Sequence, residues 1–356
     1  MPKFSKFIPI ILAAGVISFV LTPILRRLAD RLGFVDHPSA RKVHATPVPM
    51  LGGVAIYLGM AAAVAISPLA ADVKTSTREM VGVLGGTTIM VIFGLWDDRV
   101  NLNPAVKLFG QGLAAAVLIA SGIYVSLVHI PAVNYAITVF WVLGITNALN
   151  FLDNMDGLAA GISSVAAAFF LIMALLEGLG IVAALAAATL GACVAFLYYN
   201  FNPASLFMGD AGSMVLGFSL AVLGIKLSFK GIPLAITWTI PIIILGVPIF
   251  DTTLVVVSRL LRRKPIYLGG KDHTSHRLVA VFGMTPARAV MTLYLVAGAL
   301  GLLSIMMRDA SVLEARITDV ALGIIFIASL AWLEMKYRPV KQPAQPAPTP
   351  QEEAKA

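Results

Sequence analysis

Cysteine is almost absent from this chain: Cys193 is the single one among 356 residues. It lies inside an apolar run, which excludes a disulfide framework and a thiolate metal site and leaves packing as its expected role. Charge is scarce as well. Asp, Glu, Lys and Arg make up only 12% of residues, and 18 acidic residues face 26 basic ones. Together with 59% hydrophobic residues and a mean hydropathy of +0.90, that scarcity excludes a water-soluble globular protein. The net charge of +8 would suit nucleic acid, but no basic helix face with interleaved aromatics lies outside the apolar runs. No nucleic-acid partner is expected.

What the chain has instead is long apolar runs with short breaks. They predict an all-α, polytopic integral membrane bundle of about 11 transmembrane helices, near 7–25, 51–70, 80–96, 105–125, 132–150, 158–177, 179–199, 212–228, 233–257, 288–307 and 317–335. The first run is long for a leader and lacks a small-residue cleavage site, so it is expected to be a retained helix. Residues 1–338 read as one membrane domain. The Pro- and Ala-rich tail, 339–356, has no apolar face and is expected to be disordered. Basic residues set the orientation. Arg26, Arg27, Arg31, Arg41 and Lys42 follow the first span, and Arg259, Arg262, Arg263, Lys264, Lys271 and Arg277 follow the ninth, whereas the alternate breaks carry few. By the positive-inside rule the first group is cytoplasmic, which puts the N-terminus outside and the C-terminus in the cytoplasm.

Acidic and amide residues concentrate in that same set of breaks. Asp97 and Asp98 close the third span, Asn147, Asn150, Asp153 and Asp156 the fifth, Asn200 to Asp210 follow the seventh, and Asp251 to Arg277 end and follow the ninth. Any one of them could be a helix cap. Four clusters on one face point to a site, because Asp at mid-bilayer costs roughly 2.5–3.5 kcal/mol. The Asn/Asp series recurs every third residue, and each step turns about 60° backwards, so a straight helix cannot aim all four at one ligand. Either the helix unwinds before Gly157 or the residues divide between ligand and structure. Asp97 and Asp98 are about 100° apart on a helix and should meet different partners. Asp210, between Gly209 and Gly212 at a helix start, suits a hard cation beside phosphate. His273 and His276 lack a third zinc ligand and, with the arginines, suit an anion.

Five segments carry a resemblance: RKVHATPVPMLGG at 41–53, GLWDDR at 94–99, NALNFLDNMDGLAAG at 147–161, YNFNPASLFMGDAGS at 199–213 and HTSHRL at 273–278. In this order they resemble the polyprenyl-phosphate N-acetylhexosamine-1-phosphate transferases, over about 30 to 340. The resemblance implies a magnesium-dependent enzyme, with manganese as a substitute. It would transfer N-acetylhexosamine-1-phosphate from a UDP-sugar to polyprenyl (undecaprenyl) phosphate and release UMP at the cytoplasmic face of a bacterial inner membrane. It implies catalytic roles for Asp97, Asp98, Asp153 and Asp156. Substrate contacts are implied for Lys42, His44, Lys107, Asn147, Asn150, Asn200, Phe207, His273, His276 and Arg277, and metal ligation for Asp210 with Asp98. Ser275 stands where many relatives have a histidine. Arg41-Lys42-Val43-His44 favours the N-acetylglucosamine branch over the muramoyl-pentapeptide one. A transporter of an anionic substrate is the rival of another class, and a homodimer is compatible with the sequence.

Overall fold

The computed structural model describes residues 4–36, 47–71, 76–229, 231–267 and 269–337. Arg41, Lys42, His44 and the tail lie outside the described residues. The long helices are α1 (Ile8–Leu32), α2 (Gly52–Ala71), α3 (Thr77–Val100), α4 (Pro104–Ala120), α5 (Pro131–Leu152), α6 (Leu158–Leu176), α7 (Gly180–Asn200) and α8 (Gly209–Lys226). After them come the short α9 (Leu234–Thr237) and α10 (Thr239–Ile244), then α11 (Gly246–Leu261), α12 (Thr274–Phe282), α13 (Pro286–Arg308) and α14 (Val312–Lys336). A two-stranded antiparallel hairpin, β1 (Val35–Asp36) with β2 (Val48–Pro49), follows α1.

Among the described residues, 9 helices are long and apolar enough to cross a membrane. The polytopic helical membrane class is therefore as expected. α4, with 17 residues, is a shorter apolar helix. The segment expected as a continuous ninth span is broken instead, at Trp238 and Leu245. Each break falls three residues before a proline, Pro241 or Pro248. A proline has no N–H to donate, and its ring crowds the carbonyl four residues back, so one rung of the helical ladder is missing at each point, while Trp238 and Leu245 still donate to the Leu234 and Pro241 carbonyls at 3.3 and 3.0 Å.

Helices α6, α7 and α8 form the centre, with 72%, 67% and 72% of their apolar windows buried, whereas α14 has 6% buried and lies at the rim. Close packing around α8 sets the site. Gly94 of α3 lies against the backbone of Asp210 and Ala211, where a Cβ would collide with it. Small residues let membrane helices approach in this way. One turn after Gly94, Asp98 reaches the first turn of α8. Gly209, at φ +67°, occupies left-handed backbone that favours glycine, and a Cβ there would lie 2.5 Å from an Asp98 carboxylate oxygen.

Strand β2 leads the chain back to the same place. The Phe207 N–H donates to the Pro49 carbonyl at 2.9 Å, and the N–H groups of Gly52 and Gly53 donate to the carbonyls of Phe207 and Met208 at 3.0 and 2.9 Å. The C-terminal ends of α3, α5, α7 and α11 and the N-terminal ends of α4, α6, α8 and α12 thus gather at one end of the bundle.

Candidate active site at one end of the bundle

A lysine occupies the centre of the acidic cluster. Lys107, in the first turn of α4, donates to Asp97 Oδ2 at 2.8 Å, to Asn150 Oδ1 at 3.1 Å and to Asp210 Oδ2. Three elements, α3, α5 and α8, therefore meet on one ammonium. Asn150 ties α5 to α8 a second time, donating to Asp210 Oδ1 at 2.7 Å and to Ser213 Oγ at 2.9 Å. One turn further along α4, Gln111 exchanges two hydrogen bonds with Asn147 of α5, at 3.2 and 2.6 Å. Residues 107 and 111 share a face of α4, and 147 and 150 share a face of α5, so these pairs fix the register of the two helices.

The two neighbouring aspartates do different things, as their angular separation predicts. Asp97 Oδ1 accepts the Leu102 N–H at 2.6 Å while Oδ2 faces Lys107. Asp98 Oδ1 and Oδ2 accept the N–H groups of Asp210 and Ala211 at 2.7 and 3.2 Å. A carboxylate at a helix N-terminus satisfies orphan donors and complements the helix dipole. Asp98 thus orients the turn that carries Asp210.

The Asn/Asp series divides, and the helix also ends. α5 stops at Leu152 with Asp153 as its C-cap, leaving Asp153–Gly157 as turns. Burial pushes the half-buried Asp153 carboxyl up to about 7, with the Asp210 and Asp156 charges adding to the effect. Asp156 Oδ2 accepts from Asn202 Nδ2 at 2.9 Å and from the Ala204 N–H at 3.0 Å. Asn200, expected to contact substrate, is buried with its amide engaged at both ends. Its Oδ1 accepts the Gly157 N–H at 3.1 Å and its Nδ2 donates to the Leu206 carbonyl at 3.0 Å. It clasps the two loops rather than facing the cleft, and the Tyr294 hydroxyl holds the Gly157 carbonyl from α13 at 2.5 Å. Phe207 is half-buried beside β2.

The histidine segment docks on the end of α5. Ser275 donates to Asn154 Oδ1 at 2.6 Å, and the His273 ring lies edge-on to Phe151, with centroids 6.3 Å apart. His273 Nδ1 pairs with Asp251 Oδ2 at 2.8 Å, while Asp251 Oδ1 accepts the Thr274 N–H at 2.6 Å. With Nδ1 engaged, Nε2 is the nitrogen left for another partner. His276 is partly buried, its ring 6.2 Å from that of His273. Burial, followed by the His273 charge, pulls its imidazole down to about 4.

Arg277 departs from the expectation of an anion contact. It is fully buried, and its guanidinium is already bonded to Ser258 Oγ, the Asp272 and Leu333 carbonyls and Glu334. With four of its five N–H groups taken by protein acceptors and no exposed surface, it has no donor fork left for phosphate.

Gln111, Ser213 and Asn154 complete the site without having stood out as site residues, and Asp251, which opens the fourth polar cluster, does so as the partner of His273. Polar groups inside an otherwise apolar span were the available signal for Gln111 and Asp251.

The donor set suits a hard divalent cation. Asp210, Asp97 and Asn150 offer oxygen around a point now held by one ammonium. Among the described residues no three of His, Cys, Asp and Glu form a closed cage. Magnesium typically takes one or two carboxylates and completes its shell with water and substrate phosphate. Asp98, with both oxygens on backbone N–H groups, supports this set from behind.

Fold and site together define a polytopic helical membrane protein with an acidic, lysine-bridged cluster and a histidine segment at one end of the bundle. The family profile described as "Glycosyl transferase family 4" matches residues 80–228. The chain is 37% identical over 302 residues to the "Probable undecaprenyl-phosphate N-acetylglucosaminyl 1-phosphate transferase" of Bacillus subtilis (strain 168), covering 82% of each chain. It is 34% identical over 322 residues to the "Decaprenyl-phosphate N-acetylglucosaminephosphotransferase" of Mycobacterium tuberculosis (strain ATCC 25618 / H37Rv), covering 81% of this chain and 79% of that one. Identity is 30% over 344 residues to the "Phospho-N-acetylmuramoyl-pentapeptide-transferase" of Desulforudis audaxviator (strain MP104C), covering 84% of this chain and 98% of the relative. The chain belongs to glycosyl transferase family 4.

Proposed function

We propose that this protein transfers N-acetylglucosamine-1-phosphate from UDP-N-acetylglucosamine to a polyprenyl phosphate, releasing UMP. The observation that carries the reading is the convergence of Asp97, Asn150 and Asp210 on Lys107, in a chain whose curated relatives act on polyprenyl phosphates.

The chemistry follows from charge. A phosphate monoester has a second pKa near about 6, so most of the lipid nucleophile is dianionic at neutral pH and needs no strong base. A lipid phosphate oxygen attacks the sugar-bearing phosphorus in line, a new P–O bond forms, and the bond to the UMP oxygen breaks. Asp97 accepts the proton from whatever fraction of the lipid is still a monoanion. The Lys107 ammonium attracts the phosphates and offsets their repulsion. Asp210, with Asn150, would hold magnesium, which when bound neutralises diphosphate charge. His273 presents Nε2 as a further donor to phosphate, its ring fixed by Asp251. Incubation with UDP-sugar alone should leave no phosphate on Asp97; covalent phosphate there would replace direct attack with a two-step route.

For topology the reading is eleven crossings, with α4 and the proline-broken α9–α11 added to the nine long helices. The N-terminus is outside, and the site and the C-terminus face the cytoplasm of a bacterial inner membrane. Arg26, Arg27 and Arg31 at the end of α1 and Arg262, Arg263 and Lys264 after α11 support that sidedness. A screen of UDP-sugars with the purified protein tests the donor. UDP-N-acetylglucosamine should give the fastest UMP release, and a protein active only with a UDP-muramoyl-pentapeptide would refute this branch.

A further inference from the structure

The end of α14 is bonded far more heavily than the rest of that helix would suggest. Along its length α14 meets few neighbours, yet its last turn supplies the Leu333 carbonyl and the Glu334 carboxylate to Arg277, at 3.0 and 2.8 Å. Glu334 also pairs with Arg262 of the α11 end. The Tyr337 ring covers both guanidiniums, with the Arg277 carbon 4.3 Å and the Arg262 carbon 5.3 Å from its centroid, and its hydroxyl donates to the Lys271 carbonyl at 3.2 Å. A surface ion pair contributes little to stability, but this one holds a fully buried arginine.

Arg277 transmits that hold to the histidine. Its Nε donates to the Asp272 carbonyl at 2.8 Å, and this carbonyl belongs to the peptide that enters His273. The Asp272 carboxylate is gripped from the other side by Arg259, through two bonds of 2.9 Å. Arg259 in turn lies over the Phe151 ring, 5.8 Å from its centroid, at the end of α5. The backbone at 272–273 is thus fixed by Arg277 and Arg259, and the imidazole by Asp251. Removing Glu334 leaves Arg277 buried without its counter-charge, which loosens its hold on the peptide that enters His273.

From this geometry we infer that Glu334, on the last helix, is a positioning residue for the transfer reaction, acting through Arg277 on the aim of His273. The inference rests on His273 contacting substrate phosphate, as set out above. A side chain that acts through another should show its effect only while the other is present. The test is a double-mutant cycle on the full chain in detergent, with UMP release and thermal midpoint measured for Glu334→Ala, His273→Ala and the pair. Glu334→Ala should lower kcat about tenfold to a hundredfold, the range for partners that orient a functional group, with KM for the UDP-sugar changed less than about threefold. Glu334→Asp should recover part of the loss. In the His273→Ala background the same change should cost less than about twofold. Multiplicative losses in the pair, or wild-type kcat in Glu334→Ala, would overturn the inference. Wild-type turnover in His273→Ala alone would instead overturn the role of the histidine, and the inference with it. Should Glu334→Ala not fold, Glu334→Gln carries the same cycle, since it keeps the shape and removes the charge.

Discussion

Replacing Lys107 by methionine removes the ammonium on which α3, α5 and α8 meet and keeps most of the stem. Asp97 and Asp210 both bond to Nζ, and their carboxylates also lie within hydrogen-bonding reach of each other. Two unit charges about 4 Å apart repel by about 4 kcal/mol at an effective dielectric of 20, which suits side chains this sheltered. In the wild type the lysine offsets that repulsion. In Lys107→Met the cost falls on the site, as displaced carboxylates or a captured proton, and it recurs whenever the diphosphate adds its own negative charge. A loss of about 4 kcal/mol in transition-state stabilisation is a fall of roughly a thousandfold in kcat/KM. The assay is UMP release over a range of UDP-sugar concentrations, with far-ultraviolet circular dichroism confirming a folded bundle. Lys107→Arg should retain more activity than Lys107→Met, since it keeps the charge. A folded Lys107→Met enzyme within threefold of wild type would show that the ammonium does not offset this repulsion.

Asp98→Asn should lower turnover without touching substrate, because an amide presents only one acceptor to the two N–H groups of the Asp210 turn; hydrogen bonds to a charged group are worth about 1.5–3 kcal/mol, so roughly tenfold or more is expected, and unchanged kcat would contradict it. Gly94→Val should prevent α3 from approaching α8 and yield a bundle with a lower thermal midpoint and no measurable turnover; a normal enzyme would show that the contact is dispensable. In metal-free protein two pH effects of opposite sign are expected. His276, depressed from 6.5 to about 4, is neutral in the fold while the unfolded chain binds the proton, so its contribution to stability is present above about 6.5 and lost as pH falls toward 4. Asp153, raised from 3.8 to about 7, binds its proton in the fold, so its contribution is present at low pH and lost as pH rises through that window. Thermal midpoints of His276→Gln and Asp153→Asn against wild type should diverge in opposite directions across the window; parallel curves would remove the assignment.

Much of the site could be read from the residues. Helix ends that hold Asp, Asn and Gly between long apolar runs have few explanations, and the basic residues chose the same face independently. The 100° between Asp97 and Asp98 implied different partners without naming them; the structure supplies Lys107 for the one and the α8 terminus for the other. The fates of Asn200 and Arg277 were not legible, because spacing shows that a polar group lies near a site but not whether another segment already satisfies it. For Arg277 those segments are Ser258, Asp272 and the end of α14, the last some 57 residues away along the chain. The break in the ninth span was visible as Pro241 and Pro248. Membrane helices often tolerate proline, however, and only the packing decides between a kink and an interruption.

Transfer to lipid phosphate at this cluster is tested most directly by incubating the purified chain with UDP-N-acetylglucosamine, magnesium and undecaprenyl phosphate and measuring UMP and lipid product together. UMP and undecaprenyl-diphospho-N-acetylglucosamine should form in equal amounts, and both should be lost in Asp210→Asn. UMP-free reactions across all UDP-N-acetylhexosamines, or wild-type turnover in Asp210→Asn, would contradict it.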